Sequence, residues 1–302
     1  MPDAGAPASR TLILGGSGFV GARAVAAALQ TGAPVVSASR DPGPGGDGAE
    51  RRVLDALRPE ATQALLEELA PARILLCTAL SRPDQCDAYP GLARELNVEF
   101  PRRVARGAEA LGARLVFVST DLVFGADAPP PGGFDEEHPV GPLSRYGETK
   151  AAGERAVLEA SPGALVVRLP LMYGDSGGRG LGATDALLAA VARGERPRLL
   201  EDEFRTPLDV DVAARALVEL LDSGVAGVLH VAGEERLARY ELGLALLAAA
   251  GFDSARARAA VLAGTRRQAG LETTRPADVS LDASRARGIL CVKLRGPPRA
   301  AP

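Results

Sequence analysis

The stretch that decides the fold is residues 11–21, which read Thr-Leu-Ile-Leu-Gly-Gly-Ser-Gly-Phe-Val-Gly. An aliphatic run is followed at once by three spaced glycines and then by an alanine-rich helical pattern. Gly15 permits a tight turn, Gly18 lets the backbone approach a pyrophosphate, and Gly21 lets a helix pack close to the strand. The pattern predicts a dinucleotide-binding strand-turn-helix unit, and a glycine-rich turn without a ligand is the alternative.

Contacts to the phosphates of such a cofactor extend beyond the glycines. The N–H groups of Phe19 and Val20, at the start of the predicted helix, face the anion. The second predicted strand ends in Ser39 and Arg40. An acidic residue there would bind both ribose hydroxyls of NAD, whereas Ser and Arg suit a 2′-phosphate. NADP is therefore favoured over NAD, although Asp41 would restore NAD binding if the loop register shifts by one residue.

The first half of the chain alternates short aliphatic runs with helical patterns, which is typical of a parallel sheet with helices on both faces. The predicted strands are residues 11–14, 34–38, 74–77, 114–118 and 164–168. The predicted helices are residues 20–31, 58–69, 89–111 and 145–160. The fold class expected is α/β, a Rossmann-type doubly wound parallel sheet with a smaller C-terminal substrate-binding lobe.

The expected domain organisation follows from where this alternation begins and becomes irregular. A disordered N-terminus (1–10) precedes a mainly NAD(P)-binding Rossmann domain (11–173). A mainly substrate-binding lobe with returning sheet elements (174–294) and a disordered tail (295–302) complete the chain.

Composition excludes several classes of protein. The 302 residues are 46% hydrophobic and 24% charged, which is ordinary for a globular protein. A net charge of −3 and the lack of basic runs give no indication of a basic surface that binds nucleic acid or a membrane. Cys77, Cys86 and Cys291 are odd in number and lack metal spacing, which indicates reduced thiols and a cytoplasmic location. His138 and His230 have no partner at metal spacing, so no metal site is predicted.

The residues 146–150, Tyr-Gly-Glu-Thr-Lys, place a Tyr and a Lys four apart at the start of a helix. Both side chains then lie on one face, and a cation near a phenol lowers its pKa toward neutrality. A predicted strand ends in Ser119-Thr120-Asp121, at the sheet edge where ligands bind in such folds, so Thr120 can bond a substrate carbonyl beside Tyr146. A chance pairing of Tyr and Lys on a helix surface is the alternative, but the ordered combination with the glycine turn favours catalysis.

Two arginines precede prolines in predicted loops, Arg205 by two residues and Arg275 by one. The guanidinium groups of Arg205 and Arg275 suit a bidentate grip on a diphosphate. Because the chain is rich in arginine, a plain surface salt bridge is an equally good explanation of each.

The combination of motifs is similar to a known family. The segments that carry the similarity are 119–125 (Ser-Thr-Asp-Leu-Val-Phe-Gly), 134–139 (Phe-Asp-Glu-Glu-His-Pro) and 146–154 (Tyr-Gly-Glu-Thr-Lys-Ala-Ala-Gly-Glu), with further matches at 167–170, 173–174, 205–207, 230–233 and 275–282. The chain resembles the extended short-chain dehydrogenases over residues 12–294. It resembles most closely the branch that contains dTDP-4-dehydrorhamnose reductase and the regulatory subunit of methionine adenosyltransferase.

This resemblance implies roles for particular residues. Thr120, Tyr146 and Lys150 take the catalytic roles, and Tyr146 and Lys150 also contact the cofactor. The segment Cys77-Thr78-Ala79 passes the nicotinamide ribose, and Asn97 matches the helix Asn that is common in the superfamily. The residues expected to contact substrate are Thr120, Asp121, Arg205 and Arg275.

The function expected is the NAD(P)H-dependent reduction of the 4-keto group of a nucleotide-linked 6-deoxysugar. Leu122 stands where an aromatic residue is usual, so the detailed substrate pocket differs from that of the reductases. Related dehydratases carry Asp-Glu after the Thr, and since Leu122 cannot move a proton, dehydration is disfavoured. A sugar-nucleotide epimerase and a non-catalytic NADP-binding regulatory subunit remain alternatives. The partner is a nucleotide-sugar, and the sequence leaves open whether the chain forms a homodimer.

Overall fold

The computed structural model describes residues 10–43 and 47–297. Residues 1–9 and 298–302, which make up most of the two predicted disordered ends, lie outside the described residues. Within the described part of the chain, no helix is both long enough and apolar enough to span a membrane.

Short strands and helices alternate along the chain. The strands are β1 (Thr11–Leu14), β2 (Val35–Ser39), β3 (Glu50–Val53), β4 (Arg73–Leu76), β5 (Arg114–Thr120), β6 (Leu165–Leu169), β7 (Met172–Tyr173), β8 (Arg198–Leu200), β9 (Phe204–Arg205), β10 (Leu208–Asp209), β11 (Gly227–His230), β12 (Leu237–Ala238) and β13 (Leu262–Gly264). The helices are α1 (Phe19–Leu29), α2 (Pro59–Leu69), α3 (Pro83–Ala88), α4 (Pro90–Arg94), α5 (Phe100–Leu111), α6 (Arg145–Ala160), α7 (Gly182–Ala192), α8 (Val210–Leu220), α9 (Arg239–Ala249), α10 (Ser254–Ala260) and α11 (Ser284–Ile289).

Seven strands of the described residues form one sheet in the order β11-β6-β5-β4-β1-β2-β3. β1 pairs in parallel with both β2 and β4, and β2 with β3 and β4 with β5 are parallel too. The strand order reverses between β1 and β4, and ligands of open α/β sheets bind at the carboxyl edge of such a switch point. The predicted doubly wound α/β fold is confirmed.

The sheet forms because its central strands are apolar on both faces. Every residue of β1 and of β6 is buried, as expected for parallel strands covered by helices. The main core cluster joins these strands to α2 and α5 through residues such as Leu12, Leu66, Val104 and Val166.

The structure departs from the predicted elements at three places. β3 was not predicted, because its sequence Glu-Arg-Arg-Val is polar and lies at the exposed sheet edge. α3 was not predicted either. The helix expected at 89–111 is three consecutive segments, in which the π-helical turn Glu95–Glu99 separates α4 from α5.

The chain folds into two compact units. The first comprises the described residues up to Ser119, together with Glu148–Arg168 and Ala214–Leu229. The second comprises Thr120–Gly147, Leu169–Ala213 and the chain from His230 onward. The chain therefore passes between the units several times. The predicted assignment of cofactor binding mainly to residues 11–173 and of substrate binding mainly to residues 174–294 stays a prediction.

The second unit has its own small core. Leu242, Leu246 and Leu247 of α9 pack with Tyr173 and Leu187. Two-stranded pairings of β10 with β7, β12 with β9 and β13 with β8 complete this unit.

Candidate active site

Two of the three motif glycines are required by packing alone. Gly15 adopts a φ of +86°, and a Cβ there would lie 2.8 Å from the backbone nitrogen of Thr78. A Cβ on Gly21 would overlap the carbonyl oxygen of Gly15. The turn after β1 therefore packs against the segment after β4 and against the first turn of α1, and a larger residue at either position would separate them.

Gly18 has a different environment. A Cβ at this position would meet only the carbonyl oxygen of Gly15, at 3.3 Å, so packing does not demand a glycine there. Gly18 is the N-cap of α1 and supplies no capping side chain, and the first turn, which holds Phe19 and Val20, contains no acidic residue. An open backbone and an uncapped helix N-terminus fit a bound pyrophosphate.

The end of β2 offers polar groups at the same sheet edge. The hydroxyl of Ser39 donates to the carbonyl oxygen of Asp41 at 3.1 Å, and Arg40 is exposed just beyond the strand. The carboxylate of Asp41 accepts a hydrogen bond from the backbone of Gly43 at 3.2 Å. Asp41 thus caps its own turn, and Arg40 stands at the position that is predicted to contact a 2′-phosphate.

Arg51 is a second cation near this turn. Its Nη1 donates to Ser37 Oγ at 3.1 Å, and a Cβ on Gly16 would overlap that same hydroxyl oxygen. Arg51 lies on β3, and because that strand was not predicted, no sequence pattern placed this guanidinium beside the glycine turn.

Asn97 fixes the segment that follows β4. Its Oδ1 accepts from the backbone N–H of Leu80 at 2.9 Å, and its Nδ2 donates to the Leu80 carbonyl at 3.1 Å and to Thr149 Oγ1 at 3.0 Å. Asn97 is fully buried in the π-helical turn, a feature often found at functional sites. Its side chain therefore ties the 77–80 segment to α6, and its predicted contact with the cofactor stays a prediction.

α6 carries the two residues of the Tyr/Lys motif. Tyr146 is half-buried in its first turn, and Lys150 follows one turn later and is 1% exposed. Lys150 Nζ donates to the carbonyl oxygen of Val118 at 2.7 Å and lies 3.9 Å from the ring centroid of Phe117. The ammonium is thereby anchored to β5.

The surroundings of Lys150 shape its acidity. Burial lowers the pKa of Lys150 to about 7, while the nearby Glu154 and Cys77 act in the opposite direction. Glu154 is itself buried, and its Oε2 accepts a hydrogen bond from Arg168 Nη2 at 2.8 Å. Its Oε1 accepts a hydrogen bond from the Ser119 hydroxyl. This network, which the sequence did not reveal, joins α6 to β5 and β6.

Thr120 and Asp121 lie where β5 ends. Thr120 Oγ1 donates to Asp121 Oδ1 at 3.1 Å and accepts from the backbone N–H of Leu122 at 3.2 Å. Asp121 is 3% exposed, and its Oδ2 has no hydrogen-bond partner among the described residues. Burial raises the pKa of Asp121 to about 6; Arg205 and Thr120 act against this rise, and Glu203 adds to it.

Three guanidinium groups surround one buried carboxylate in the second unit. Glu203 pairs with Arg275 at 3.1 Å, with Arg205 at 3.2 Å and with Arg239 at 4.0 Å. Arg205 also lies 3.5 Å from Asp121 Oδ2, and its side chain is only 7% exposed, whereas that of Arg275 is 50% exposed. Arg205 is thus held between two buried acids rather than in a surface salt bridge, and Arg275 is the more accessible cation.

Both histidines belong to an aromatic cluster of the second unit. His230 is fully buried; its backbone N–H donates to Glu136, and its Nδ1 lies 3.0 Å from the Phe134 carbonyl oxygen. Phe134 stacks on Phe124, and His138 lies beside it. In the part of the chain that the structure describes, no group of three or more His, Cys, Asp or Glu residues is placed to hold a metal ion.

Comparison with known proteins decides the family. The family described as the RmlD substrate binding domain matches residues 9–296. The chain belongs to this family. The predicted relationship to the dTDP-4-dehydrorhamnose reductases is thereby confirmed.

The curated relatives of this RmlD-family chain fall into two kinds. Methionine adenosyltransferase 2 subunit beta from Xenopus laevis is 33% identical over 264 residues, which is 85% of this chain and 76% of that protein. The match to the rat subunit is 34% identical but spans only 62% of that protein's length. A probable dTDP-4,6-dihydroxy-2-methyloxan-3-one 4-ketoreductase from Streptomyces antibioticus is 33% identical over 288 residues, covering 95% of this chain and 91% of the relative.

Solved structures show the same fold as this RmlD-family chain. The dTDP-4-dehydrorhamnose reductase of Bacillus anthracis, in complex with NADP, matches with a TM-score of 0.79 at 23% identity, covering 95% of both chains. A hypothetical dTDP-4-dehydrorhamnose reductase from Sulfolobus tokodaii matches with a TM-score of 0.80 at 26% identity, covering 95% of this chain and 97% of that one.

Proposed function

We propose that this RmlD-family chain is an NADPH-dependent reductase of the 4-keto group of a nucleotide-linked 6-deoxysugar. The observation that carries the proposal is the Tyr146/Lys150 pair on the first turns of α6, with Lys150 anchored to β5 and Thr120 at the end of that strand. A protein that only binds a dinucleotide needs no proton donor, buried cation and hydroxyl of this kind together.

Each residue of this set has a distinct task. NADPH, when bound, supplies the hydride that adds to C4 of the sugar. Tyr146 donates the proton to the ketone oxygen, and Thr120 donates a hydrogen bond to that oxygen as negative charge develops. Lys150 favours the phenolate form of Tyr146 and binds the ribose next to the nicotinamide.

The preference for NADP rests on the end of β2. Arg40 is exposed there, Ser39 precedes it, and the nearest carboxylate, Asp41, is engaged by the backbone of its own turn. A guanidinium group binds a phosphate through several hydrogen bonds, whereas the residues that end β2, Ser39 and Arg40, include no acid to bind the two ribose hydroxyls of NAD.

The diphosphate of the substrate is assigned to the arginine cluster around Glu203. Arg275 is the most exposed of its cations, and Arg239 Nη1 has no hydrogen-bond partner among the described residues. We therefore assign direct contact with the diphosphate to Arg275 and Arg239. Arg205, which lies between Asp121 and Glu203, holds the cluster together.

A regulatory subunit is the second candidate, and the similarity to methionine adenosyltransferase 2 subunit beta favours it. In that case the chain binds NADP, consumes none of it with any ketosugar, and associates with a second protein. The epimerase alternative predicts interconversion of sugar-nucleotide isomers without net NADPH consumption.

Turnover separates these functions. NADPH oxidation at 340 nm is measured with a panel of dTDP- and UDP-linked 4-keto-6-deoxysugars, and the product is analysed by NMR. The reductase predicts one NADPH consumed for each 4-hydroxyl formed. Tight NADPH binding without consumption across the panel contradicts the reductase and favours the regulatory subunit, which size-exclusion chromatography with a methionine adenosyltransferase catalytic subunit then tests.

A further inference from the structure

The Thr120 hydroxyl already donates its one hydrogen bond to a neighbouring carboxyl. A threonine hydroxyl has one proton to donate and two lone pairs to accept with. The Thr120 hydroxyl donates a hydrogen bond to Asp121 Oδ1 at 3.1 Å, and Thr120 Oγ1 accepts one from the Leu122 N–H at 3.2 Å. An ionised carboxylate only accepts hydrogen bonds, so as long as Asp121 is charged, this geometry leaves Thr120 without a proton for a substrate.

Neighbouring groups act in opposite directions on the ionisation of the Asp121 carboxyl. It is buried, and Arg205 Nε is its nearest cation, at 3.5 Å from Oδ2, which is too long for a good hydrogen bond. Glu203 places a second negative charge near Asp121. The Arg239 guanidinium also interacts electrostatically with Asp121. Oδ2 accepts no hydrogen bond within the described residues. Burial and Glu203 favour the neutral acid, and they raise its pKa to about 6, while Arg205 and Thr120 favour the carboxylate.

We propose that Asp121 is a positioning residue whose protonation sets the direction of the Thr120 hydroxyl. The neutral acid donates a hydrogen bond from its own O–H to Thr120 Oγ1, so the Thr120 hydroxyl can donate to the ketone oxygen. The carboxylate instead accepts a hydrogen bond from the Thr120 hydroxyl, and the oxyanion loses this donor. The inference rests on the reductase function proposed above; the switch consists of one proton exchanged between Asp121 and solvent and a rotation of the Thr120 hydroxyl, with no bond made or broken at Thr120.

A pH profile of turnover tests this directly. In the native protein, kcat is expected to fall as pH rises through the pKa of Asp121, by up to tenfold per pH unit. Asp121→Asn keeps the side-chain volume, and its amide can donate a hydrogen bond to Thr120 Oγ1 at every pH. The fall of kcat through the pKa of Asp121, which is the descending limb of the profile, therefore disappears in this variant. Any fall at higher pH that comes from deprotonation of Tyr146 remains in both proteins.

Two further variants guard against a purely structural effect. In a Thr120→Val background, turnover is slower at every pH and Asp121→Asn no longer changes the shape of the profile. Glu203→Gln removes a like charge from Asp121, so the limb is expected to move to lower pH. A limb that persists in Asp121→Asn, or that is insensitive to both Thr120→Val and Glu203→Gln, overturns the proposal.

A measurement without substrate distinguishes failure of this inference from failure of the proposed function. Carboxyl-carbon NMR of aspartate-labelled protein follows the titration of Asp121, assigned by its loss in Asp121→Asn. Thr120→Val should raise the pKa of Asp121, because a hydrogen bond to the charged form is removed. An unchanged titration overturns the inference whatever the turnover data show. A raised pKa, in a protein that reduces no ketosugar, confirms the hydrogen bond but overturns both the reductase function and the catalytic use of this contact.

Discussion

Lys150 Nζ donates a hydrogen bond to the carbonyl oxygen of Val118 at 2.7 Å from a side chain that is 1% exposed. Burial lowers the pKa of Lys150 to about 7, so the fold keeps a cation where it is poorly solvated. Groups with strongly shifted pKa values concentrate at functional sites, and the arrangement suits a lysine that works beside Tyr146.

The first prediction is that Lys150→Met stabilises the protein while it impairs function. Between the folded pKa of about 7 and the ordinary value of 10.5, the unfolded chain binds more protons, so this lysine's contribution to stability rises with pH. The gain from Lys150→Met is therefore largest at pH 7 and below, roughly 1–4 kcal/mol, and it shrinks toward pH 10. Urea unfolding at pH 6.5 and 9.5 measures it.

The control for that prediction is Lys293→Met, at the chain's other lysine, which is exposed. We expect this change to leave the free energy of unfolding almost unaltered at both pH values. A Lys150→Met protein that is less stable than native at pH 6.5 would show that the buried ammonium is a net stabilising group.

The second prediction concerns cofactor choice. NADPH should bind more tightly than NADH, and Arg40→Asp should reverse the order, because it replaces the cation proposed to bind the 2′-phosphate with a carboxylate. Loss of a charged hydrogen-bonded contact weakens NADPH binding by about 1.5–3 kcal/mol. Nicotinamide fluorescence titration measures both affinities. Arg106→Asp, at an exposed position of α5, is the matched control, and an equal loss of NADPH affinity in that variant would speak against a specific phosphate contact.

The third prediction separates the two arginines that the sequence treats alike. Arg205→Ala leaves the buried carboxylates of Asp121 and Glu203 without their shared cation and should lower the free energy of unfolding by roughly 3–5 kcal/mol. Arg275→Ala should change stability little, because Arg275 is half exposed, but should weaken sugar-nucleotide binding by about 1.5–3 kcal/mol. Thermal unfolding and calorimetric titration with a nucleotide-sugar measure the two effects. Equal losses of stability in both variants would contradict the assignment.

The fourth prediction is a pH dependence of stability that originates at Asp121. Its folded pKa of about 6 exceeds the ordinary 3.8, so the folded state binds more protons between these values and stability is lost as pH rises from about 4 to about 6. Two pKa units correspond to about 3 kcal/mol. Asp121→Asn lacks this loss, so its stability relative to native should increase across that window and then level off. A constant difference between the two proteins from pH 4 to 7 would place the pKa of Asp121 at its ordinary value.

Local sequence signals predicted the elements that carry the motifs. β1 and α6 begin and end where the aliphatic run and the Tyr/Lys helix pattern indicated. β3 escaped prediction because an exposed edge strand with the sequence Glu-Arg-Arg-Val has no hydrophobic signal, and with it the position of Arg51 was missed.

The arginine cluster shows the limit of such reasoning more clearly. Glu203 pairs with Arg239 and Arg275, which are 36 and 72 residues away along the chain. Contacts at that separation depend on how the second unit packs, and no local pattern encodes them. The sequence therefore identified Arg205 and Arg275 as candidate anion-binding residues but not the buried acid that distinguishes their roles.

Tyr146 is the proposed proton donor of the reduction, and single-turnover NADPH oxidation by Tyr146→Phe isolates that step. The change removes only the phenolic hydroxyl, so folding and NADPH affinity should persist, and Tyr89→Phe, at an exposed tyrosine, is the matched control. We expect ketosugar reduction to fall by roughly 10²–10⁴-fold in Tyr146→Phe and to be unchanged in Tyr89→Phe. A Tyr146→Phe protein that reduces the ketosugar at the native rate would contradict the mechanism.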